Sequence, residues 1–182
     1  GPSHYNDLFR CEEPFFSGRG KGDVAAFVEK YKENYEKAQR KGLICIPSGN
    51  HDMDRLARSI HGEELKVAFA FLLSMPGAPF LYYGDEIGMG DDLDLEERYA
   101  VRTPMQWAGS QGGGFSAADP EKFIAPIIDR GPYRYQKINV ADSLLHRNSL
   151  LHRIIDIANT RSEFPEIAVA PFRLLTIDSD AV

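Results

Sequence analysis

Apolar positions along the chain fall into two kinds of segment: runs with a helical period, and short unbroken runs too brief to be helices. Val24, Phe27, Val28, Tyr31, Tyr35 and Ala38 recur at helical spacing. They predict an amphipathic helix that starts at Asp23, its cap, and ends near Arg40. Lys41 and Gly42 supply the cation and the left-handed stop expected at its C-terminus. Leu43 to Pro47 follows at once, short and without polar alternation, and predicts a strand buried on both faces, as parallel strands are. A second helix is predicted from about Glu63 to Met75, apolar nearly all round through Val67, Ala68, Phe69, Ala70, Phe71, Leu72 and Leu73. Pro76-Gly77 ends it, and Phe80 to Tyr83 predicts another short strand. Helix, strand, helix, strand in this rhythm is the pattern of a parallel α/β architecture.

The remainder is less regular. Residues 1–22 are rich in Gly, Pro and Ser and read as loop. From Gly88 to about Arg147 there is no strong period, and an excursion of that length is normally functional or disordered. A third helix, about Ser149 to Arg161, carries Leu150, Leu151, Ile154, Ile155 and Ala158 on one face, with Pro165 beyond its end. Phe172 to Ile177 reads as one strand of something that then stops.

Composition narrows the partners more than the fold. The 182 residues are 43% hydrophobic and 26% charged, the balance of an ordinary globular chain with a real core. A net charge of −6 argues against nucleic acid and gives no grip on an anionic membrane. The longest strongly apolar run, Val67 to Met75, is half a membrane span at most. A neutral polyol such as a sugar is indifferent to that charge. Cys11 and Cys45 form no CxxC pair, so neither a disulfide nor a metal site is expected, and Cys45 in its apolar run reads as a small buried hydrophobe.

Candidate chemistry clusters where the two predicted strands end, the place where parallel α/β proteins bind ligands. After the first comes Ser48-Gly49-Asn50-His51-Asp52. A carboxylate and an imidazole there can hydrogen-bond a polyol from two sides, and the Asp can stabilise positive charge on a sugar ring; equally, Asp52 can be the N-cap of a helix. After the second comes Tyr82-Tyr83-Gly84-Asp85-Glu86. Its tyrosines suit sugar platforms or core, and its acids suit general acid/base work or ion pairs with backbone amides. Arg102-Thr103-Pro104-Met105-Gln106-Trp107 holds the only Trp, either a pocket rim or a pin that fastens the loop. The acidic run Asp91 to Glu97 lacks the ligand spacing of a calcium loop and reads as solvated, and the histidines form no ligand-spaced cluster. No metal is assigned.

Asn50-His51-Asp52, the stretch Met75 to Met89 and the segment Arg102 to Trp107, in this order and spacing, resemble the α-amylase family of glycoside hydrolases. Within it they are most similar to the α-glucosidase, oligo-1,6-glucosidase and trehalose-synthase branch. The clear likeness covers roughly residues 43–116. It implies a (β/α)₈ barrel, of which these segments are strands 7 and 8 with their helices and loops. It also implies retaining chemistry on an α-glucoside oligosaccharide or disaccharide, with a carboxylate nucleophile, a carboxyl acid/base and a covalent glucosyl-enzyme intermediate. Asp52 matches the family's third catalytic acid, which bonds sugar hydroxyls and favours the oxocarbenium-like state. His51 matches a histidine on the same hydroxyls, Arg102 an arginine at the pocket entrance, and Glu86 a structural acid. No organic cofactor is implied.

The nucleophile and acid/base of that family precede strand 7, and residues 1–42 contain neither the Arg-x-Asp nor the Gly-Glu segment that carries them. A whole barrel takes at least about 200 residues. Residues 1–167 are therefore expected to be the C-terminal part of a catalytic barrel, incomplete on its own, with a long loop at about 88–147. Residues 168–182 are expected to begin a truncated β-domain. The chain alone is expected to be inactive, to form an oligomer or associate with the missing barrel portion, and to come from a cytoplasmic parent. A different class of reading is a non-catalytic amylase-like domain that binds or docks a partner.

Overall fold

A computed structural model describes residue 16, residues 24–38 and residues 41–173. Helix α1, Val24–Ala38, lies where the apolar period predicts it and turns Phe27 and Tyr31 into the core. It ends by a turn in which the Lys41 and Gly42 amides both donate to the Ala38 carbonyl, at 2.9 and 3.1 Å. Gly42 does not take the left-handed conformation expected of it, because that turn needs no positive φ. The predicted cap Asp23 lies outside the described residues.

Strands β1, Cys45–Pro47, and β2, Ala78–Phe80, pair in parallel with Ile46 opposite Pro79. Between them run a 3₁₀ turn, Leu56–Arg58, and helix α2, Glu63–Ser74, a β-α-β unit of the kind the sequence order predicts. The bonds continue past the strands: the Ala78 amide donates to the Ile44 carbonyl and the Ser48 amide to the Phe80 carbonyl, both at 2.7 Å. Gly77 makes that pairing possible. It has φ of +111°, and a Cβ there would meet the Ile44 carbonyl oxygen at 2.5 Å.

One expectation about these elements fails. Strand β1 is buried on one face, not two: Ile46 points into the core, whereas Cys45 is exposed and free. Alternation sends successive side chains to opposite faces, and among the described residues only one face of this two-stranded sheet is covered by helices. Helix α2, apolar nearly all round, buries one side. Leu65, Ala68, Phe69, Leu72 and Leu73 are buried, but Val67 is 57% exposed.

The main core joins Phe27 and Tyr31 of α1, Ile46 of β1, the buried row of α2, and Leu56, Ala57 and Ile60. It also takes Ile154 from helix α4, Leu150–Glu163, which starts at its Ser149 cap and packs along α2. Arg161 of α4 closes the C-terminus of α2. Its guanidinium donates to the carbonyls of Leu73 (2.7 Å), Met75 (3.0 Å) and Gly77 (2.6 Å), and the Tyr31 hydroxyl donates to that of Pro76 (2.6 Å). A cation on the last carbonyls of a helix is a favourable end to it.

The aperiodic stretch is a folded loop. It contains 3₁₀ turns and the short helix α3, Val140–Leu145, capped by buried Asn139. Buried Gln106 fastens it, donating to the Tyr133 carbonyl at 3.1 Å and to the Ile138 carbonyl, while its own carbonyl accepts from the Val140 amide. A small second core of Ile87, Met89 and Met105 lies under it. The predicted strand Phe172 to Ile177 lies largely outside the described residues; Phe172 itself packs edge-on against Tyr35 at 4.7 Å.

Candidate functional site

The segments leaving β1 and β2 are tied together at their first residues. Ser48 is fully buried; its hydroxyl donates to Asp85 Oδ2 at 2.7 Å and accepts from the Tyr82 amide at 2.9 Å. The chain then turns outward. Asn50 Oδ1 accepts from the Asp52 amide at 2.8 Å, and the Asn50 carbonyl accepts from the Met53 amide. This side-chain turn lifts His51 and Asp52 into solvent. Asp52 caps no helix: the next helical turn begins after Arg55, and the residue at the start of α2 is Gly62.

Arg102 reaches both exposed residues. Its Nη2 donates to Asp52 Oδ1 at 2.9 Å and its Nε to the His51 carbonyl at 3.0 Å. Arg98 Nη1 lies 3.2 Å from the same Oδ1, and His51 Nε2 lies 3.4 Å from Oδ2. The structure thus brings together His51, Asp52 and Arg102, although Arg102 is some 50 residues distant in sequence. Two guanidiniums crowd one carboxylate oxygen and leave the other beside an imidazole and open water. Such a corner offers an acceptor and a ring nitrogen, side by side, to neighbouring hydroxyls. Sequence reasoning missed Arg98, since nothing in an acidic, aperiodic loop marks one arginine as the partner of Asp52.

It also missed Arg55, which is 1% exposed and among the largest fully buried side chains of the described residues. Its guanidinium lies over the rings of Tyr82 and Tyr83, with centroids at 4.8 and 4.6 Å. It pairs with Asp85 at 3.6 Å and Asp91 at 4.0 Å, and donates to the carbonyls of Tyr83 and Val101 (3.3 Å). A buried arginine needs such compensation. The signal available in sequence was only the proximity of Arg55 to Asp52.

Of the two readings of Asp85-Glu86, the geometry selects an ion pair for Asp85, which is buried between the Ser48 hydroxyl and the Arg55 guanidinium. Burial pushes the Glu86 carboxyl up from its ordinary value, against its backbone bonds. Tyr82 and Tyr83 serve as the bed of Arg55, and their hydroxyls donate to the carbonyls of Val101 (3.2 Å) and Thr103 (2.7 Å). Burial raises the Tyr82 hydroxyl to about 12. Trp107 combines both readings: its backbone is fastened to the Gly113 carbonyl at 2.8 Å while half its side chain is exposed.

The acidic run is not all solvated. Asp91 is buried, both its oxygens accept from the Arg55 amide at 3.3 Å, and burial raises its pKa to about 6. Asp94, by contrast, is exposed and pairs with Arg130 at 2.8 Å. Among the described residues no group of three His, Cys, Asp or Glu is placed to hold a metal ion. No helix there is long and apolar enough to cross a membrane.

Comparison with known proteins places this geometry in context. The sequence pattern of the alpha amylase catalytic domain matches residues 16–169. Trehalose synthase of Pimelobacter sp. (strain R48) is 48% identical over 104 residues, 56% of this chain and 18% of that enzyme. The human amino acid transporter heavy chain SLC3A1 is 34% identical over 119 residues, 57% of this chain and 17% of that protein. Among solved structures, trehalulose synthase MutB from Pseudomonas mesoacidophila MX-45 superposes with a TM-score of 0.70 at 20% identity, over 92% of this chain and 36% of that one. The chain thus spans less than two-fifths of the length of each of these proteins. At that identity the structural likeness speaks to fold. It makes the β-α-β unit and its loops a portion of a (β/α)₈ barrel, the incomplete architecture that the sequence implied.

Proposed function

The chain belongs to the alpha amylase catalytic-domain family, and we propose that it forms one corner of the sugar pocket of a retaining glycoside hydrolase or transglucosidase acting on α-glucosidic bonds. The observation that carries this reading is the Asn50-His51-Asp52 turn at the end of β1. There one carboxylate is clamped by Arg102 and Arg98 and still presents an oxygen beside His51.

In the proposed role, Asp52 and His51 accept and share hydrogen bonds with adjacent hydroxyls of the glucose ring. As the glycosidic bond breaks, positive charge builds on the ring carbon and oxygen. A fixed negative charge held nearby by two guanidiniums favours that state over the ground state, which is how preorganised electrostatics accelerates a reaction. Arg102, at the rim, orients Asp52 and lines the approach. The nucleophile and the acid/base are assigned to earlier strands of the barrel. Residues 168–182 are assigned to the beginning of a C-terminal β-domain. Strands β1 and β2 pair only with each other among the described residues, so the remaining barrel strands are the proposed occupants of their outer edges.

A second reading, a non-catalytic domain that docks a partner, has its support in the likeness to the transporter heavy chain. The Asn-His-Asp turn favours the enzyme, because docking gives no reason to keep a clamped, solvent-facing carboxylate. Release of p-nitrophenol from its α-glucoside separates the two. The whole protein is expected to turn over at about 1–1000 per second, and the 182-residue chain alone not at all. A whole protein without turnover on any α-glucoside would sink the enzymatic reading; an active isolated chain would show the catalytic pair misassigned.

A further inference from the structure

Resting on the reading of Asp52 given above, we propose that Arg55 is a positioning residue: it fixes the backbone around Arg102 so that Arg102 can clamp Asp52. Arg55 touches neither His51 nor Asp52 through any bond described above. It acts on what surrounds their partner. Its Nη2 donates to the Val101 carbonyl at 3.3 Å and its Nη1 to the Tyr83 carbonyl, so one rigid fork spans the turn after β2 and the loop that carries Arg98 and Arg102. The tyrosines beneath it continue the fastening. The Tyr82 hydroxyl donates to the same Val101 carbonyl at 3.2 Å, and the Tyr83 hydroxyl to the Thr103 carbonyl at 2.7 Å. The carbonyls on both sides of Arg102 are therefore held from one cluster, and that cluster is centred on Arg55.

Burial makes the device stiff. The guanidinium lies over two adjacent aromatic rings and is held by Asp85 and Asp91, with no solvent to compete for its N–H groups. Only a planar fork serves both carbonyls. Lysine keeps the positive charge between the two carboxylates but presents a point donor on a flexible stem. Arg55→Lys therefore removes the positioning and leaves the charge balance of the cluster in place. Tyr82→Phe is the milder counterpart, deleting one hydroxyl from the Val101 carbonyl and nothing from the ion cluster.

The test uses the whole protein and p-nitrophenyl α-glucoside, with both variants made alone and in an Arg102→Ala background. Arg55→Lys is expected to lower kcat about 10-fold with KM changed less than about twofold, the signature of a misplaced group. Tyr82→Phe is expected to lower it about threefold by the same route. In the Arg102→Ala background both losses should vanish, because residues acting through one partner are not additive. Losses that multiply with that of Arg102→Ala, or a folded Arg55→Lys with unchanged kcat, overturn the proposal. If Arg55→Lys does not fold, Tyr82→Phe decides the question in the same cycle. Asp52→Asn is measured alongside: should it leave kcat intact, the sugar-site reading is what fails. The positioning claim is then judged on the crystal structure of Arg55→Lys, where an intact Arg102–Asp52 bond refutes it and a broken one upholds it.

Discussion

Asp91 offers a test of the buried cluster that needs no substrate. Arg55 carries one positive charge between Asp85 and Asp91, so the group has a net charge of −1 when both carboxylates are ionised. Protonating one of them neutralises it. Burial pushes the Asp91 carboxyl from 3.8 to about 6; Asp54 raises it further, while the Arg55 amide and the charges of Arg55 and Arg58 oppose the shift. Tyr133 also faces it. A raised carboxyl means that the folded protein holds a proton which the unfolded chain has lost. The stabilisation is complete below about pH 4 and disappears as pH rises through 6. The rise in the Asp91 carboxyl corresponds to about 3 kcal/mol, reduced to about 2 by solvent screening on the Arg58 side. The perturbation is Asp91→Asn, which keeps an acceptor for the Arg55 amide and cannot titrate. Urea unfolding of wild type and variant from pH 4 to 7.5 gives the difference directly, and groups common to both cancel. Glu33, held near 2 by Lys30 and Lys37 in the folded protein, contributes equally to wild type and variant and drops out of the difference. Wild type is expected to lose about 2 kcal/mol relative to Asp91→Asn as pH rises from 4 to 7. A difference independent of pH, or one that grows in favour of wild type, would refute the reasoning.

Two further substitutions probe the frame of the site. Gly84 has φ of +86°, and a Cβ would fall 2.4 Å from Met89 Sδ and 3.1 Å from Arg55 Nη1. Gly84→Ala should therefore cost about 2–3 kcal/mol in urea unfolding, from left-handed strain plus displacement of the arginine. Arg161→Met keeps an unbranched stem and removes three charge-assisted bonds, to the carbonyls of Leu73, Met75 and Gly77 at and beyond the end of α2. It should cost about 2–3 kcal/mol, seen as a lowered urea midpoint with an unchanged slope.

The parts that local pattern controls were legible in sequence. Helices α1 and α2 lie within two residues of the predicted bounds, and Ser149 caps α4 where a helix start was expected. The order of elements led to parallel β-α-β pairing, and the place of Ser48 to Asp52 at the end of a predicted strand singled out the segment that carries His51 and Asp52. What failed depends on distant contacts. The apolar run predicts the second strand over Phe80 to Tyr83, yet it spans Ala78–Phe80, because Tyr82 and Tyr83 leave the ladder to make the bed of Arg55. Cys45 looked buried because its neighbours are apolar, but its face of the strand is uncovered in the described residues. The loop at 88–147 has no period because single side chains hold it: Gln106 and Tyr133 bond backbone carbonyls 27 and 76 residues away, and Asn139 bonds the Tyr135 carbonyl nearby. No local rule marks Arg55 or Arg98 as a partner of residues dozens of positions away.

The central claim is that Asp52 stabilises charge on a sugar ring. Asp52→Asn in the whole protein keeps the volume and most of the hydrogen bonding of the side chain while removing its charge. Steady-state kinetics on p-nitrophenyl α-glucoside should then show kcat lower by about 100-fold or more, about 3 kcal/mol of transition-state stabilisation, with substrate binding little changed. A normally folded Asp52→Asn protein with wild-type kcat would contradict the claim.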